Sequence, residues 1–215
     1  MEHLLSLSAL PDDPQHPVIC YDERPCFLIG DTLAPLPMTT GKVTKEHDAY
    51  EKHGSCAVRA AIEPLTGARL AKVKPQRMKK EDTEFCEALV VASPNAKKIR
   101  LVQDNLNTHN ASSCYEDLPA AAAFALAARF EFNDTPKAAS WLNLIEIEFS
   151  ALSRQCLDRR IPTIEQLGKE VLALVKERAE KKIRINWQFS IETARTRLNK
   201  HYTRVNANNN QYKET

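Results

Sequence analysis

The sequence lacks the patterns that mark membrane, secreted and zinc-binding proteins. No apolar run in its 215 residues approaches the roughly 20 residues needed to cross a bilayer. Its first residues lead into an apolar patch without a basic segment, so no secretory signal is predicted. None of the six cysteines belongs to a Cys-x-x-Cys pair, and all lie in apolar stretches. We therefore expect buried, reduced cysteines in a cytoplasmic protein without a zinc site.

Internal repeats are also absent, and charge is divided unequally along the chain. Residues 151–215 contain 14 Lys and Arg against 7 Asp and Glu, whereas residues 1–150 contain 16 against 21. An acidic body with a basic tail suits a site that collects divalent metal and an arm that meets a polyanion. A solvated, charged helical face is the alternative explanation of the same imbalance.

Hydrophobic patterning alternates between strands and helices. Strands are predicted over 17–23, 26–30, 53–63, 68–73 and 129–132, the first two forming a hairpin that turns at Arg24–Pro25. A further short strand is predicted in the stretch that begins at Lys97, stopping at Asp104, and 31–53 is predicted to be a long loop. Helices are predicted over 79–92, over 112–128 with a break near Pro119, from Ser140 onward, and after the N-caps Thr163 and Ser190. This order predicts a mixed α/β fold with a helical C-terminal extension.

Acidic residues end two of the predicted strands. Asp22 and Asp104 each follow an apolar run, and open α/β sheets place their chemistry at the carboxyl ends of strands. If the strands are neighbours, the two carboxylates come within metal-bridging distance. An aspartate that begins a loop and caps its turn is the alternative interpretation of Asp104.

The predicted helix from Ser140 supplies a third acid. Asn143 and Glu146 lie three residues apart on one face, off the apolar stripe, whereas Glu148 lies about 200° round from Glu146. We therefore favour Glu146 as the third carboxylate, supported by a hydrogen bond from Asn143. Three carboxylates at one point repel unless divalent cations neutralise them, and Mg²⁺ prefers hard oxygen ligands. Two such ions roughly 4 Å apart can activate a water or hydroxyl in phosphoryl transfer.

The candidate acids lie in three blocks of sequence: residues 18–25 (VICYDERP), 100–109 (RLVQDNLNTH) and 140–147 (SWLNLIEI). These blocks resemble the catalytic blocks of DDE transposases, most of all those of bacterial insertion sequences related to the mariner superfamily. Residues 62–67 (IEPLTG) and 152–162 (LSRQCLDRRIP) also resemble segments that the family has between and after these blocks. The resemblance extends over residues 15–203.

This resemblance implies a ribonuclease H-like fold and metal-dependent cleavage of DNA at transposon ends, followed by strand transfer. Asp22, Asp104 and Glu146 become the ligands of two Mg²⁺ or Mn²⁺ ions. The residues expected to support these ligands or to face DNA are Asn105, His109, Lys137, Trp141, Asn143, Arg154, Arg159 and Arg160. For His109, a histidine that begins a helix or lies in a loop is the alternative.

The resemblance also implies an organisation and a set of partners. We expect a linker remnant over 1–16, the catalytic core over 17–157, the helical extension over 158–205 and a disordered tail over 206–215. The expected partners are DNA and further copies of the chain, and no membrane contact is expected. The expected location is the nucleoid of a bacterial cytoplasm. The family carries a helix-turn-helix region before its first aspartate. Here only a short segment precedes Asp22, so we expect either a split transposase, whose helix-turn-helix half is separately encoded, or a truncated copy.

A second departure concerns the loop before the third block. The family shows His-Tyr-Thr-Pro-Lys-His-Gly where residues 133–139 read NDTPKAA. Loss of a glycine and a histidine there is expected to shift the following helix or to weaken DNA contact.

Two competing functions remain open at the level of sequence. The first is an inactive or truncated remnant that binds DNA through its basic tail in a sequence-neutral, salt-sensitive manner. The second is another ribonuclease H-like nuclease, such as one that cuts RNA–DNA hybrids, against which the block at 141–146 argues.

Overall fold

The computed structural model describes residues 1–36, 38–41, 47–76, 79–104 and 111–206. In chain order its elements are α1 (Glu2–Ser8), β1 (Val18–Asp31), β2 (Tyr50–Ile62), β3 (Arg69–Lys74), α2 (Lys79–Ala92), β4 (Ile99–Gln103), α3 (Ala111–Asp117), α4 (Ala120–Ala127), β5 (Phe130–Asp134), α5 (Ile145–Gln155), α6 (Ile164–Glu180), α7 (Ile191–Arg197) and α8 (Asn199–Val205). A 3₁₀ turn, Ser140–Leu142, precedes α5. Within these ranges, no helix has the length and apolar character needed to span a membrane.

The five strands form one mixed sheet in the order β3-β2-β1-β4-β5. β1, β2 and β3 pair as an antiparallel meander, whereas β4 runs parallel to both β1 and β5. Ile99, Leu101 and Val102 of β4 are almost completely buried, as expected of a parallel strand covered on both faces. The mixed α/β fold predicted from the sequence is confirmed.

The predicted hairpin at Arg24–Pro25 is wrong, because β1 continues through both residues to Asp31. Its pairing with β2 runs from Cys20 opposite Ile62 past Pro25 opposite Ala57, with one irregularity after Leu28. β4 pairs with β1 only up to Cys20, so β2 is the only described strand beside Pro25. A proline is tolerated at such an edge, where one side of the strand needs no ladder hydrogen bond.

Helices cover both faces of the sheet. On one face, α5 packs on β1 and β2, α6 packs on β3, and α1 joins the same core cluster, whose buried set includes Phe149, Leu152 and Val171. On the other face, α2 packs Phe85 and Leu89 against β1 and β4. Because side chains alternate along a strand, neighbouring residues of β1 belong to opposite faces.

Residues 2–8 form a helix, although the sequence analysis assigns them to a linker. Leu4, Leu5 and Leu7 of α1 are buried in the same core cluster as α5. Glu2 binds the guanidinium of Arg195 in α7 through two hydrogen bonds, at 2.8 and 2.9 Å. A helix this short is only marginally stable in water by itself. The burial of three leucines against the core supplies the stabilisation that the isolated segment lacks.

The C-terminal helices share the hydrophobic core of the sheet. Thr163 caps α6 by accepting a hydrogen bond from the backbone N–H of Gln166 at 3.2 Å, as the sequence predicts. Leu167, Val171 and Val175 of α6 join the cluster that contains α5. The predicted cap at Ser190 is confirmed as well, by a 3.2 Å hydrogen bond from the backbone of Thr193.

All six cysteines are free and buried, which confirms the predicted buried, reduced thiols. Burial raises the pKa of the Cys20 thiol to about 12 and that of Cys26 to about 11. Both thiols are therefore protonated at neutral pH and poorly nucleophilic.

Candidate active site

Asp22 lies in β1 on the face that α5 covers. Its side chain is buried, with 7% of the residue exposed. One carboxylate oxygen accepts a hydrogen bond from the backbone N–H of Glu23 at 2.7 Å. Cys20, two residues before it on the same face, belongs to the core cluster of α5, whereas Tyr21 belongs to the cluster of α2. The aspartate is thus inside a continuing strand rather than at a strand end.

Asp104 follows directly after β4 and is partly buried. In the parallel register Cys20 lies opposite Val102, and Asp22 and Asp104 each come two residues later. Val102 belongs to the cluster of α5, and alternation places Asp104 on the same side. The register therefore directs both carboxylates to one face of neighbouring strands. Two other candidates, Asn105 and His109, lie outside the described residues.

Glu146 is exposed in the first turn of α5, and Asn143 connects this turn to β1. Asn143 is 1% exposed, and its side-chain amide donates to the carbonyl of Tyr21 at 2.8 Å. The sequence predicts a side-chain hydrogen bond from Asn143 to Glu146. The structure instead joins their backbones, with the Glu146 N–H donating to the Asn143 carbonyl at 3.1 Å. Asn143 therefore holds the start of α5 beside Asp22.

Glu148, the other glutamate of α5, is buried between two arginines. Arg69 of β3 donates to its two oxygens at 3.0 and 3.1 Å, and Arg178 of α6 donates at 2.8 and 3.1 Å. Burial raises the pKa of Glu148, but the hydrogen bonds from Arg178 and Arg69 outweigh it and leave the pKa below its ordinary value. This carboxylate is committed to fixing α5, which leaves Glu146 as the acid of the helix that faces outward.

A buried ionic network that was not predicted from the sequence lies next to Asp22. Arg59 of β2 forms an ion pair with Glu23 at 2.8 Å, and it donates hydrogen bonds to the hydroxyl of Tyr21 at 2.9 Å and to Asp82 of α2 at 3.2 Å. The Tyr21 hydroxyl donates to Asp82 at 2.5 Å. Burial, together with the nearby charge of Asp82, raises the pKa of Tyr21. The available signal was an arginine between Val58 and Ala60 in an otherwise apolar run.

The loop between β5 and α5 contains a strained residue. Ala138 has a φ of 60°, a left-handed conformation that favours glycine. The family glycine that the sequence lacks corresponds to Ala139, whose φ is −128°. The loop is anchored to the end of β4, where Gln103 donates to Asp134 at 3.0 Å and accepts from the backbone of Thr135 at 2.8 Å.

The expected DNA-facing residues lie in different environments. Lys137 and Arg154 are exposed, and Trp141 is 41% exposed, with its ring edge-on to Phe189. Arg159 forms an ion pair with Glu170. Arg160 pairs with Asp31 at 2.7 Å and lies over the ring of Tyr50, so both guanidinium groups have intramolecular partners.

The three carboxylates suit a hard divalent cation by their chemistry, since their oxygens are the ligands that Mg²⁺ and Mn²⁺ prefer. Asp22 and Asp104 face the same side of neighbouring strands, and Glu146 begins the helix on that side. Among the residues that the structure describes, no three His, Cys, Asp or Glu side chains form a ready-made metal cluster.

The fold is similar to that of the Mos1 strand transfer complex. The strand transfer complex of Mos1 matches with a TM-score of 0.51 and 13% identity, over 84% of this chain and 56% of that chain. A pre-cleavage Mos1 transpososome matches with a TM-score of 0.42 and 15% identity, over 84% and 58% of the two chains. The catalytic core domain of HTLV-2 integrase in complex with magnesium matches with a TM-score of 0.40 and 10% identity, over 77% and 88%. The first match confirms the predicted ribonuclease H-like fold.

Sequence comparison points to the same group of proteins. No curated protein sequence matches this chain. The family model described as DDE superfamily endonuclease matches residues 17–168, which include the whole sheet, α5 and the three candidate ligands. The chain spans 56% of the length of the Mos1 chain in the strand transfer complex. On the family match, which covers more than half of its residues, this chain belongs to the DDE superfamily endonuclease family.

Proposed function

We propose that this chain is the catalytic domain of a transposase, which cleaves DNA strands and transfers them in a metal-dependent reaction. The supporting observation is the parallel register of β1 and β4. It directs Asp22 and Asp104 to the face where α5 begins, and Glu146 lies in the first turn of that helix. The family match extends over residues 17–168, a range that contains all three acids, and it supports the same proposal.

The proposed ligands are Asp22, Asp104 and Glu146, which would hold two Mg²⁺ or Mn²⁺ ions. When bound, such ions activate a water or hydroxyl and stabilise the leaving oxygen of a phosphodiester. Asp22 is held by the N–H of Glu23, so one of its oxygens is already oriented. Asn143 secures the start of α5 to β1, which keeps Glu146 on the face of the aspartates.

We infer that the DNA backbone lies along the surface formed by Lys137, Trp141 and Arg154. All three side chains are exposed and lie on α5 or on the segment that leads into it. Arg159 and Arg160 contribute only if DNA replaces their ion pairs with Glu170 and Asp31. Phosphate contacts of this kind do not select a sequence. We propose that a helix-turn-helix unit supplies recognition of transposon ends and that two or more copies of the chain assemble on DNA.

The test is nicking of supercoiled plasmid by the purified protein with Mn²⁺ or Mg²⁺. We expect the wild type to nick, and Asp22→Asn, Asp104→Asn and Glu146→Gln to lose at least about a hundredfold in rate, because each removes a ligand. The matched control is Glu165→Gln, since Glu165 is also an exposed glutamate in the first turn of a helix, α6. It should nick as fast as the wild type.

Equal nicking by the wild type and by Asp104→Asn would refute the proposal. A wild type that binds DNA but nicks nothing with either metal would favour the remnant that binds DNA without chemistry.

A further inference from the structure

Both peptide groups that flank Asp22 are held in place. The carbonyl of Tyr21 accepts the hydrogen bond from Asn143, and the N–H of Glu23 donates to the Asp22 carboxylate. The side chains of Tyr21 and Glu23 extend to the opposite face of the sheet, where both meet Arg59. One guanidinium group thus contacts the residue before and the residue after the proposed metal ligand.

Arg59 is in a position to fix this part of β1 rigidly. It is 1% exposed and lies directly opposite Glu23 in the pairing of β1 with β2. Its two other contacts, with the hydroxyl of Tyr21 and the carboxylate of Asp82, join the strand to α2. The ring of Tyr21 also stacks on Phe85 of that helix, with ring centroids 4.8 Å apart. Neither neighbour of Asp22 can move without breaking a contact to β2 or α2.

Stability alone does not account for this network. Charges buried in an apolar core carry a large desolvation cost, and apolar side chains of similar volume often serve stability as well or better. A metal ligand, however, needs its position defined to within about half an ångström. The network lies beside the residue with that requirement.

We propose that Arg59 is a positioning residue for Asp22, acting through Tyr21 and Glu23 to set the orientation in which the Asp22 carboxylate binds a divalent cation. This inference rests on the proposed function, because it takes Asp22 as a metal ligand. It assigns no contact between Arg59 and the metal or DNA.

The test is direct titration of Mn²⁺ into the DNA-free full chain by calorimetry, alongside plasmid nicking. Arg59→Lys keeps the positive charge, but a single ammonium cannot span both Glu23 and the Tyr21–Asp82 pair. Glu23→Gln keeps the shape and removes the charge. We expect each variant to bind Mn²⁺ about 10- to 100-fold more weakly, the range found when a group that orients a metal ligand is removed. Raising Mn²⁺ should restore much of the nicking rate.

The control for lost stability is Leu89→Ala. Leu89 belongs to α2 and to the same buried cluster as Tyr21, but its side chain makes no polar contact. It should lower the unfolding temperature and leave Mn²⁺ affinity at the wild-type value. If Arg59→Lys does not fold, Tyr21→Phe serves instead, because it removes one hydroxyl and keeps the ring on Phe85. Its Mn²⁺ affinity should also fall.

The outcomes separate this role from the proposed function. Mn²⁺ binding that Asp22→Ala abolishes, and that the folded network variants retain at wild-type affinity, would overturn the positioning role alone. A wild type that binds no Mn²⁺, or that binds it equally after Asp22→Ala, would overturn the metal site and the positioning role together.

Discussion

Replacing Glu148 with alanine removes the carboxylate that Arg69 and the partly buried Arg178 share, and the loss of stability follows from these surroundings. The side chains of Glu148 and Arg69 are 2% and 1% exposed, and that of Arg178 is 12% exposed. Deleting one member of a buried ion pair costs about 3–5 kcal/mol, because the remaining charge stays in the interior without its partner. For a protein of this size, 1 kcal/mol corresponds to about 2–4 °C, so we expect the unfolding temperature to fall by about 10 °C.

Glu146→Ala is the matched control for this prediction. The two glutamates lie two residues apart in the same helix turn, but Glu146 is exposed and Glu148 is buried. Thermal unfolding should leave Glu146→Ala close to the wild type, whereas plasmid nicking should be lost. Calorimetry or circular dichroism on the two variants gives the stability, and the nicking assay gives the activity. Equal unfolding temperatures for the two variants would refute the assignment of Glu148 as the structural acid.

The pH dependence of the same contact provides a second measurement. Because the pKa of Glu148 is lower in the folded protein than in the unfolded chain, its stabilisation is complete above the ordinary glutamate pKa. It is lost as the pH falls through the folded-state pKa. The difference in free energy of unfolding between the wild type and Glu148→Gln should therefore be constant near neutral pH and shrink in acid. A difference that grows on acidification would contradict the lowered pKa.

Three further predictions follow from contacts outside the candidate ligands. Trimming the chain to begin at Pro17, where the family match starts, removes the three buried leucines of α1. Their burial is worth about 1.5–3 kcal/mol each, so the trimmed protein should unfold at a much lower urea concentration. Unchanged urea unfolding would show that α1 does not pack on the core. Ala138→Gly should raise the free energy of unfolding, measured by urea titration, by up to about 1 kcal/mol, because glycine adopts the positive φ at this position without strain. A lower free energy of unfolding would count against that backbone conformation. Cys20 should resist alkylation by iodoacetamide at pH 8 in the native state and react fully in urea, since burial raises the pKa of its thiol to about 12. Rapid alkylation of the native protein at Cys20 would be inconsistent with a buried thiol.

The sequence predicted those features that depend on local pattern. The alternation of apolar residues located β2 and β3, the break at Pro119 separated α3 from α4, and Thr163 marked the start of α6. The choice of Glu146 over Glu148 followed from helix geometry, and the burial of Glu148 agrees with it. Features that depend on tertiary contacts were missed. Pro25 normally breaks a strand, and only pairing with β2 shows that β1 passes through it.

The buried arginines illustrate why such contacts escape sequence reasoning. Arg59, Arg69 and Arg178 belong to β2, β3 and α6, and their carboxylate partners lie at distant positions in the chain. In a sequence each is one charged residue among many, and the usual interpretation is a solvated surface. Their role depends on which faces of the sheet and helices meet, which hydrophobic periodicity constrains only in part.

These arginines also divide the acids of the site into two kinds. Arg59 binds Glu23, the residue next to Asp22, and Arg69 and Arg178 bind Glu148, two residues after Glu146. In β1 one step along the strand reverses the face, and in α5 two steps rotate the side chain by about 200°. Each buried cation is therefore paired with an acid on the side opposite the candidate ligand. A guanidinium bound directly to a ligand carboxylate would compete with a divalent cation, whereas one bound to the neighbouring acid fixes the backbone and leaves the ligand side available.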